Sequence, residues 1–181
     1  MRIISGKYRG RSIVAPANLP VRPTTDFAKT GLFNILQNRL EFSTCSCLDL
    51  FSGTGSISFE FISRGCKQVT SIDRDPGCIQ FQNDIAHKLK IINLKIIKSD
   101  AFIFLEKNNQ KYKIIFADPP FESSFREELH KQIFSTSILA NDGLFVLEHI
   151  TGEKYDHLKG FLFSRIYGNV TFSFFSNFGI I

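Results

Sequence analysis

The stretch CSCLDLFSGTGSISFEFISRG, residues 45–65, decides the fold because it contains a complete strand, turn and helix. Its first residues form a short apolar run, which is typical of a buried strand. Two glycines then permit a tight turn, and the residues that follow have the length and apolar content of a helix that stops at Gly65. The stretch therefore predicts a strand followed by a helix, the repeating unit of an α/β sheet.

The same alternation continues along the rest of the chain. Further strands are predicted in QVTSID (68–73), NLKIIKS (93–99), YKIIFAD (112–118) and GLFVLEH (143–149), with helices in residues 76–91, 101–108 and within 123–139. Two aromatic, β-rich segments then meet at Gly168 and Asn169, a pair of residues that is typical of a hairpin turn. The pattern predicts a doubly wound, mostly parallel seven-stranded sheet that ends in an antiparallel pair.

The first 40 residues differ from this pattern. RIIS, GKYRG and RSIV predict a short β-hairpin, and PANLPVRPTT, with three prolines, predicts a stiff extended connector. A helix is predicted to begin after Thr25 or Asp26, both good capping residues. Gly31 within it costs roughly 1 kcal/mol relative to alanine, so it indicates either a weakened helix or a close contact. We therefore divide the chain into an extension, residues 1–40, packed on a main domain, residues 41–181.

The basic residues of the chain are unevenly distributed. The net charge is +5, and residues 1–30 hold six basic residues against one acidic residue, so this segment carries the whole excess. The candidate contacts to a phosphate backbone are Arg2, Lys7, Arg9, Arg11 and Arg22. A solvated, solubilising surface is the alternative explanation for such a charge run.

Composition excludes several classes of protein. The chain has 181 residues, 43% of them hydrophobic, which fits one globular domain. No apolar run is long enough for a membrane span, and the N-terminus lacks the features of a signal peptide. We therefore expect a cytoplasmic protein with no membrane partner. The four cysteines lack metal-ligand spacing and are expected to be reduced thiols, and no metal site is expected.

Acidic residues lie at the ends of successive predicted strands, where ligands bind in open α/β sheets. Asp49 precedes a turn that contains Gly53 and Gly55, and Asp73 follows Gly53 by 20 residues, the spacing of a carboxylate that binds a ribose. Asp100 ends the third strand and could accept a hydrogen bond from an adenine amino group. Ser58 occupies the place of the third glycine of the dinucleotide fingerprint, which favours an adenosine-containing cofactor other than NAD or FAD.

The fourth strand ends in FADPPF, residues 116–121. Burying Asp118 would be costly unless the carboxylate is paired or reaches a cleft. Pro119 leaves carbonyl acceptors in a rigid turn, and Phe121 offers a ring for stacking. The segment either merely ends the strand or forms a socket for a planar ring that bears an amino group, and the acidic ends of the neighbouring strands favour the socket.

LDLFSGTGS, SIDRD and FADPPF resemble the motifs of class I S-adenosylmethionine-dependent methyltransferases that act on exocyclic amines, a Rossmann-like family. MRIISGKYRGRSI and VRPTTDFAKTGLFNIL further resemble the RsmD family, which methylates guanine N2 in small-subunit (16S) ribosomal RNA. The chain departs from that family at DFAKTG, where many members carry DRVRE or DRVKE.

The resemblance implies S-adenosylmethionine as the cofactor and assigns roles to individual residues. The residues that the resemblance implies for the cofactor site are Asp49, Phe51, Gly53, Gly55, Asp73, Asp100 and Ala101. The catalytic residues that it implies are Asp118, Pro119 and Phe121. The implied partner is ribosomal RNA, either free or within a partly assembled small subunit, and the enzyme is expected to be a monomer.

Other functions remain open at this point. The socket would also hold the N6 amine of adenine or the amine of another nucleic-acid base. An NAD-dependent oxidoreductase fits the sheet and Asp73, but it does not fit Ser58. A non-catalytic RNA-binding module fits the basic segment, but it leaves Asp118 without a role.

Overall fold

The core of the protein is a seven-stranded sheet with helices on both faces. The computed structural model describes residues 1–16, 19, 24–120 and 123–177. The strands are β1 Ser46–Leu50, β2 Gln68–Asp73, β3 Leu94–Lys98, β4 Tyr112–Ala117, β5 Leu139–Ile150, β6 Phe161–Tyr167 and β7 Val170–Ser176. The helices are α1 Asp26–Gln37, α2 Ser56–Ser63, α3 Pro76–Lys88, α4 Ala101–Lys107 and α5 Ser123–Ser135.

The strand order is β3-β2-β1-β4-β5-β7-β6. Strands β1 to β5 all run parallel to one another, and β7 is antiparallel to both of its neighbours, β5 and β6. Tyr167 pairs with Val170 across the Gly168 and Asn169 turn, where Gly168 has φ +66°. The predicted fold class, including the terminal antiparallel pair, is therefore confirmed. β5 begins four residues before the predicted start because Leu139 pairs with Tyr112 ahead of a register shift.

The helices begin where their capping residues predict. The side chain of Thr25 accepts a hydrogen bond from the Ala28 N–H at the start of α1, and Asp75 accepts one from Cys78 at the start of α3. α4 and α5 pack on one face of the sheet, while α1, α2 and the N-terminal arm, residues 1–16, pack on the other. None of the helices in the described parts of the chain has the length and apolar character needed to cross a membrane.

The N-terminal arm is held on α2 by backbone and side-chain contacts. Its antiparallel pairing is limited to a bridge between Arg2 and Ser12, so the predicted hairpin is shorter than expected. The Lys7 N–H donates to the Ser63 carbonyl at 2.7 Å. Gly6, with φ +81°, lies so close to that carbonyl that a β-carbon would be 1.8 Å from the oxygen. The arm and α1 thus share one hydrophobic core with α2 and the sheet, and the boundary at residue 40 stays a prediction.

Gly31 makes a close contact in the middle of α1. A β-carbon there would lie 2.1 Å from the ring of Tyr167, at the end of β6. The glycine therefore permits α1 to approach β6, which accounts for its presence in a helix.

Candidate active site

The turn between β1 and α2 has a backbone that strongly favours glycine. Gly53 and Gly55 have φ +52° and +75°, and Phe51 also has a positive φ, +58°. A β-carbon at Gly55 would be 3.0 Å from the side chains of Gln82 and Phe59. Gln82 also donates to the Gly53 carbonyl at 2.8 Å. The turn is thus fixed by α3 and lies at the carboxyl edge of the sheet.

Asp49 is buried beneath this turn. Its Oδ2 accepts hydrogen bonds from the Ser58 N–H at 3.0 Å and the Ser58 hydroxyl at 2.6 Å. Its Oδ1 has no hydrogen-bond partner among the described residues. Burial raises the pKa of Asp49 to about 7, although the Ser58 hydrogen bonds oppose the shift. Ser58, where the dinucleotide fingerprint has glycine, therefore positions Asp49.

Asp73 organises the end of β2. One carboxylate oxygen accepts the Gly53 N–H at 2.7 Å and the other accepts the Asp75 N–H at 2.8 Å. The carboxylate is only half-buried, and each oxygen retains a lone pair for a further donor. Asp73 thus links the β1–α2 turn to the start of α3, and its role in ribose binding stays a prediction.

Asp100 and Ala101 lie at the start of α4. Oδ1 of Asp100 caps the helix by accepting the Phe102 and Ile103 N–H groups at 2.9 and 3.2 Å. Above this end of the sheet, the rings of Phe51 and Phe102 both contact Phe125 of α5, with centroids 5.7 and 4.9 Å apart. Phe51 is therefore partly engaged in an aromatic cluster that also borders the predicted cofactor site.

Asp118 is half-buried just beyond β4, and Pro119 is buried beside it. Burial raises the pKa of Asp118 to about 6, and the nearby positive charge of Arg126 opposes part of this shift. Two other predicted site residues, Phe121 and Arg22, lie outside the described residues. Their predicted roles in stacking and in RNA binding stay predictions.

Three carboxylates face the same side of the sheet. Asp49 pairs with Phe116 in β4, and Phe116 pairs with Val146 in β5. Because side chains alternate along strands, Asp118 and Glu148, two residues further along, share the face of Asp49. Burial, followed by the charge of Asp118, raises the pKa of Glu148 well above its ordinary value. Glu148 also accepts a hydrogen bond from the Thr24 hydroxyl at 3.2 Å, which brings the end of the connector to this site.

Arg126 is a site residue that the sequence did not reveal. It is buried in α5 and donates two hydrogen bonds to Glu153, at 3.1 and 3.0 Å. Within ESSFREELH its charge resembles that of an ordinary exposed helix residue, so only the tertiary structure identifies it. His149 is structural: its ring nitrogens lie 2.8 Å from the Ser173 hydroxyl and 3.1 Å from the Ile150 carbonyl.

The basic residues of the N-terminal segment are not equivalent. Arg2, Lys7, Arg9 and Arg11 are exposed, and Arg2 pairs with Asp26 at 3.1 Å. Lys29, which contributes to the charge excess, is buried and donates to the Arg2 carbonyl at 2.6 Å. Lys29 therefore supports the arm and is unavailable to a phosphate backbone.

The chain is similar to known proteins over most of its length. The family model described as Conserved hypothetical protein 95 matches residues 1–176. The ribosomal RNA small subunit methyltransferase D of Buchnera aphidicola is 34% identical over 148 residues, covering 82% of this chain and 75% of that protein. The Haemophilus influenzae protein of the same name is 31% identical over 183 residues, covering 93% and 94%. The solved structure of yhhF from Escherichia coli has a TM-score of 0.84 and 28% identity, covering 97% and 96%.

Proposed function

Because this chain belongs to the family of ribosomal RNA small subunit methyltransferase D, we propose that it transfers a methyl group from S-adenosylmethionine to the N2 amine of a guanine in 16S ribosomal RNA. The observation that carries the proposal is the position of Asp118 and Pro119. They lie at the carboxyl edge of the sheet, beside the β1–α2 turn and the other strand-end carboxylates.

The residues at the turn fit a positively charged, adenosine-containing cofactor. Oδ1 of Asp49 is buried without a partner among the described residues, and a cationic group nearby would compensate its charge. Asp73 has lone pairs available for ribose hydroxyls. Asp100 has a second oxygen, Oδ2, available for an amino group. When bound, S-adenosylmethionine supplies a methyl group made electrophilic by the sulfonium.

Asp118 prepares the amine for the reaction. The lone pair of guanine N2 is delocalised into the ring, which makes this amine a weak nucleophile. The Asp118 carboxylate and the Pro119 carbonyl accept its two N–H bonds and thereby orient the lone pair. The negative charge of Asp118 also stabilises the positive charge that develops at N2 as the methyl carbon leaves the sulfonium. The carboxylate then accepts the proton that N2 loses, which leaves a neutral methylated amine. A base that is normally stacked in RNA must be flipped out to reach this position.

The choice of guanine over adenine rests on the family. Asp118 and Pro119 would accept N–H bonds equally well from the N2 amine of guanine and from the N6 amine of adenine. An assay of this proposal must therefore identify the methylated nucleoside as well as detect the transfer.

The test is to incubate the purified protein with methyl-labelled S-adenosylmethionine and small-subunit RNA from cells that lack the gene, then separate the nucleosides. The expected product is N2-methylguanosine. N6-methyladenosine as the product would refute the guanine assignment. Absence of transfer to RNA, together with thermal stabilisation by NAD but not by S-adenosylmethionine, would favour an oxidoreductase.

A further inference from the structure

A groove lies between α1 and β6, away from the candidate active site. It has a volume of about 320 Å³ and is lined by Phe27, Gly31, Asn34, Asn38 and Tyr167 among others. Phe27 is 69% exposed, and Asn34 and Asn38 are also exposed. The groove thus combines an exposed aromatic ring with amide groups that can form hydrogen bonds to a ligand.

The aromatic walls of the groove are held in place by neighbouring residues. Tyr167 lies against Gly31, where a β-carbon would clash with its ring. The rings of Phe27 and Tyr167 meet edge to face, with centroids 5.7 Å apart and an interplanar angle of 75°. Because such contacts fix the ring orientation, these faces are preorganised for stacking.

Two arginines give this side of the protein a local positive charge. The guanidinium groups of Arg39 and Arg165 lie 4.8 and 4.9 Å from the centroid of the Phe163 ring. Both arginines are exposed. Asp26, the acidic residue at the start of α1, is already paired with Arg2. The charge on this surface therefore complements a polyanion.

The register of the sheet sets the separation between the groove and Asp118. Glu148 is the neighbour of Asp118 across β4 and β5, Phe172 pairs with Glu148, and Arg165 pairs with Phe172. These residues form one row on the same face at the carboxyl edge, and Tyr167 follows Arg165 by two residues on that face. Three strand spacings of about 4.8 Å place Arg165 about 14 Å from Asp118, and Tyr167, in the wall of the groove, lies two residues beyond Arg165.

We propose that this groove binds a nucleotide of the RNA strand that flanks the methylated base. The flanking base stacks on the exposed ring of Phe27, with the ring of Tyr167 at its edge. Asn34 and Asn38 contact its polar edge, and Arg39 and Arg165 neutralise nearby phosphates. Stacking on exposed aromatic rings beside cationic groups is how proteins hold single-stranded RNA. The inference rests on the proposed function, since it assigns an additional subsite for the same RNA.

The test measures methyl transfer with deproteinised small-subunit RNA as the varied substrate. Phe27→Leu keeps an apolar side chain but removes the stacking face, whereas Phe27→Trp keeps that face. The KM for RNA is expected to rise about 5- to 150-fold in Phe27→Leu, and to stay near the wild-type value in Phe27→Trp. In both variants kcat and the affinity for S-adenosylmethionine are expected to be unchanged. Ile92→Ala, at a 97% exposed residue before β3, is the matched control.

A second variant tests the positive charge. Arg39→Gln combined with Arg165→Gln is expected to weaken binding of a labelled single-stranded RNA and to reduce the slope of log affinity against log salt by about 1.4. An unchanged KM in Phe27→Leu and an unchanged salt slope in the arginine variant would overturn the proposal. So would a defect that appears only with assembled small subunits, because that result would indicate a protein partner. If these variants weaken RNA binding but the wild-type protein methylates no RNA, the proposed function is wrong and the RNA-binding subsite is still supported.

Discussion

The buried carboxylate of Glu60 in α2 is predicted to hold the N-terminal arm in place. Its two oxygens accept the Ile4 N–H at 2.8 Å and the Ser5 N–H at 3.1 Å. The Arg64 Nε lies 2.8 Å from Glu60 and the Lys29 Nζ 3.8 Å, and both basic side chains are less than one-tenth exposed. Glu60→Gln keeps the shape of the side chain but removes the charge that faces both cations.

The size of the effect follows from these contacts. Removing one partner of a buried ion pair costs about 3 to 5 kcal/mol, and the new amide group also places an N–H donor against a backbone N–H. In a chain of this size, 1 kcal/mol lowers the melting temperature by about 2 to 4 °C. We therefore expect Glu60→Gln to lose about 3 to 5 kcal/mol, or about 6 to 20 °C.

Urea unfolding and thermal melting monitored by circular dichroism measure this loss. Glu106→Gln, an exposed position in α4, is the matched control and should stay within about 0.5 kcal/mol of the wild type. Adding Lys29→Met to Glu60→Gln should recover part of the loss, since it removes a buried positive charge that no longer faces a carboxylate, although it also removes the hydrogen bond to the Arg2 carbonyl. Hydrogen exchange should show reduced protection at Ile4 and Ser5. A Glu60→Gln protein within about 1 kcal/mol of the wild type, with both amides still protected, would refute this reasoning.

Three further predictions concern ionisable residues of the site and the arm. Since burial raises the pKa of Asp118 to about 6, and the carboxylate must be ionised to stabilise the developing charge, single-turnover rates should fall about tenfold per pH unit below about pH 6. Asp118→Asn should lack this decline, and a rate that is flat to pH 5 in the wild type would contradict it. Because the pKa of Asp49 is raised to about 7 from 3.8, its contribution to stability is present at pH 4 and lost as pH rises through 7. Asp49→Asn should therefore be more stable than the wild type at pH 8, by up to about 4 kcal/mol in urea unfolding, with little difference at pH 4; equal stability at both pH values would count against the assignment. Replacing Arg9 and Arg11 by alanine should weaken RNA binding and reduce its salt slope by about 1.4 to 1.8 without changing the melting temperature, whereas an unchanged slope would mean that these residues are only solvated.

The succession of strands and helices could be predicted because each element is indicated by residues that are close together in the sequence. The apolar runs of β1 to β5, the cap at Thr25 and the Gly168 turn each depend on a few adjacent residues. The acidic strand ends followed from the same reasoning, because parallel strands bring their carboxyl ends to one edge. The strand order itself comes from the structure, since doubly wound sheets occur with more than one order.

The contacts that complete the site could not be predicted because they join distant parts of the chain. Glu148 lies near Asp118 only through the register of β4 and β5. Arg126 is buried only because α5 packs beside Glu153. Lys29 was counted with the basic segment, yet its ammonium lies within the structure beside Glu60, 31 residues away in the sequence. Burial of a charged residue depends on tertiary contacts, so it cannot be inferred from the spacing of residues along a helix.

The contacts of the N-terminal arm with α2 determine which variants are suitable for testing RNA binding. Deleting residues 1–11 would remove the exposed cations, but it would also leave Glu60 and Ser63 without their backbone partners. Loss of RNA affinity after such a deletion would therefore mix a change in charge with a change in stability. Substitution of the exposed arginines separates the two effects.

In the proposed function, Asp118 holds the amine that is methylated. The most direct test of this role is the single-turnover rate of methyl transfer by Asp118→Ala, measured beside the calorimetric affinity of that variant for S-adenosylmethionine. The rate is expected to be at least about 100-fold below the wild type, with cofactor affinity within about threefold of the wild type. A near-normal rate in this variant, with N2-methylguanosine as the product, would contradict it.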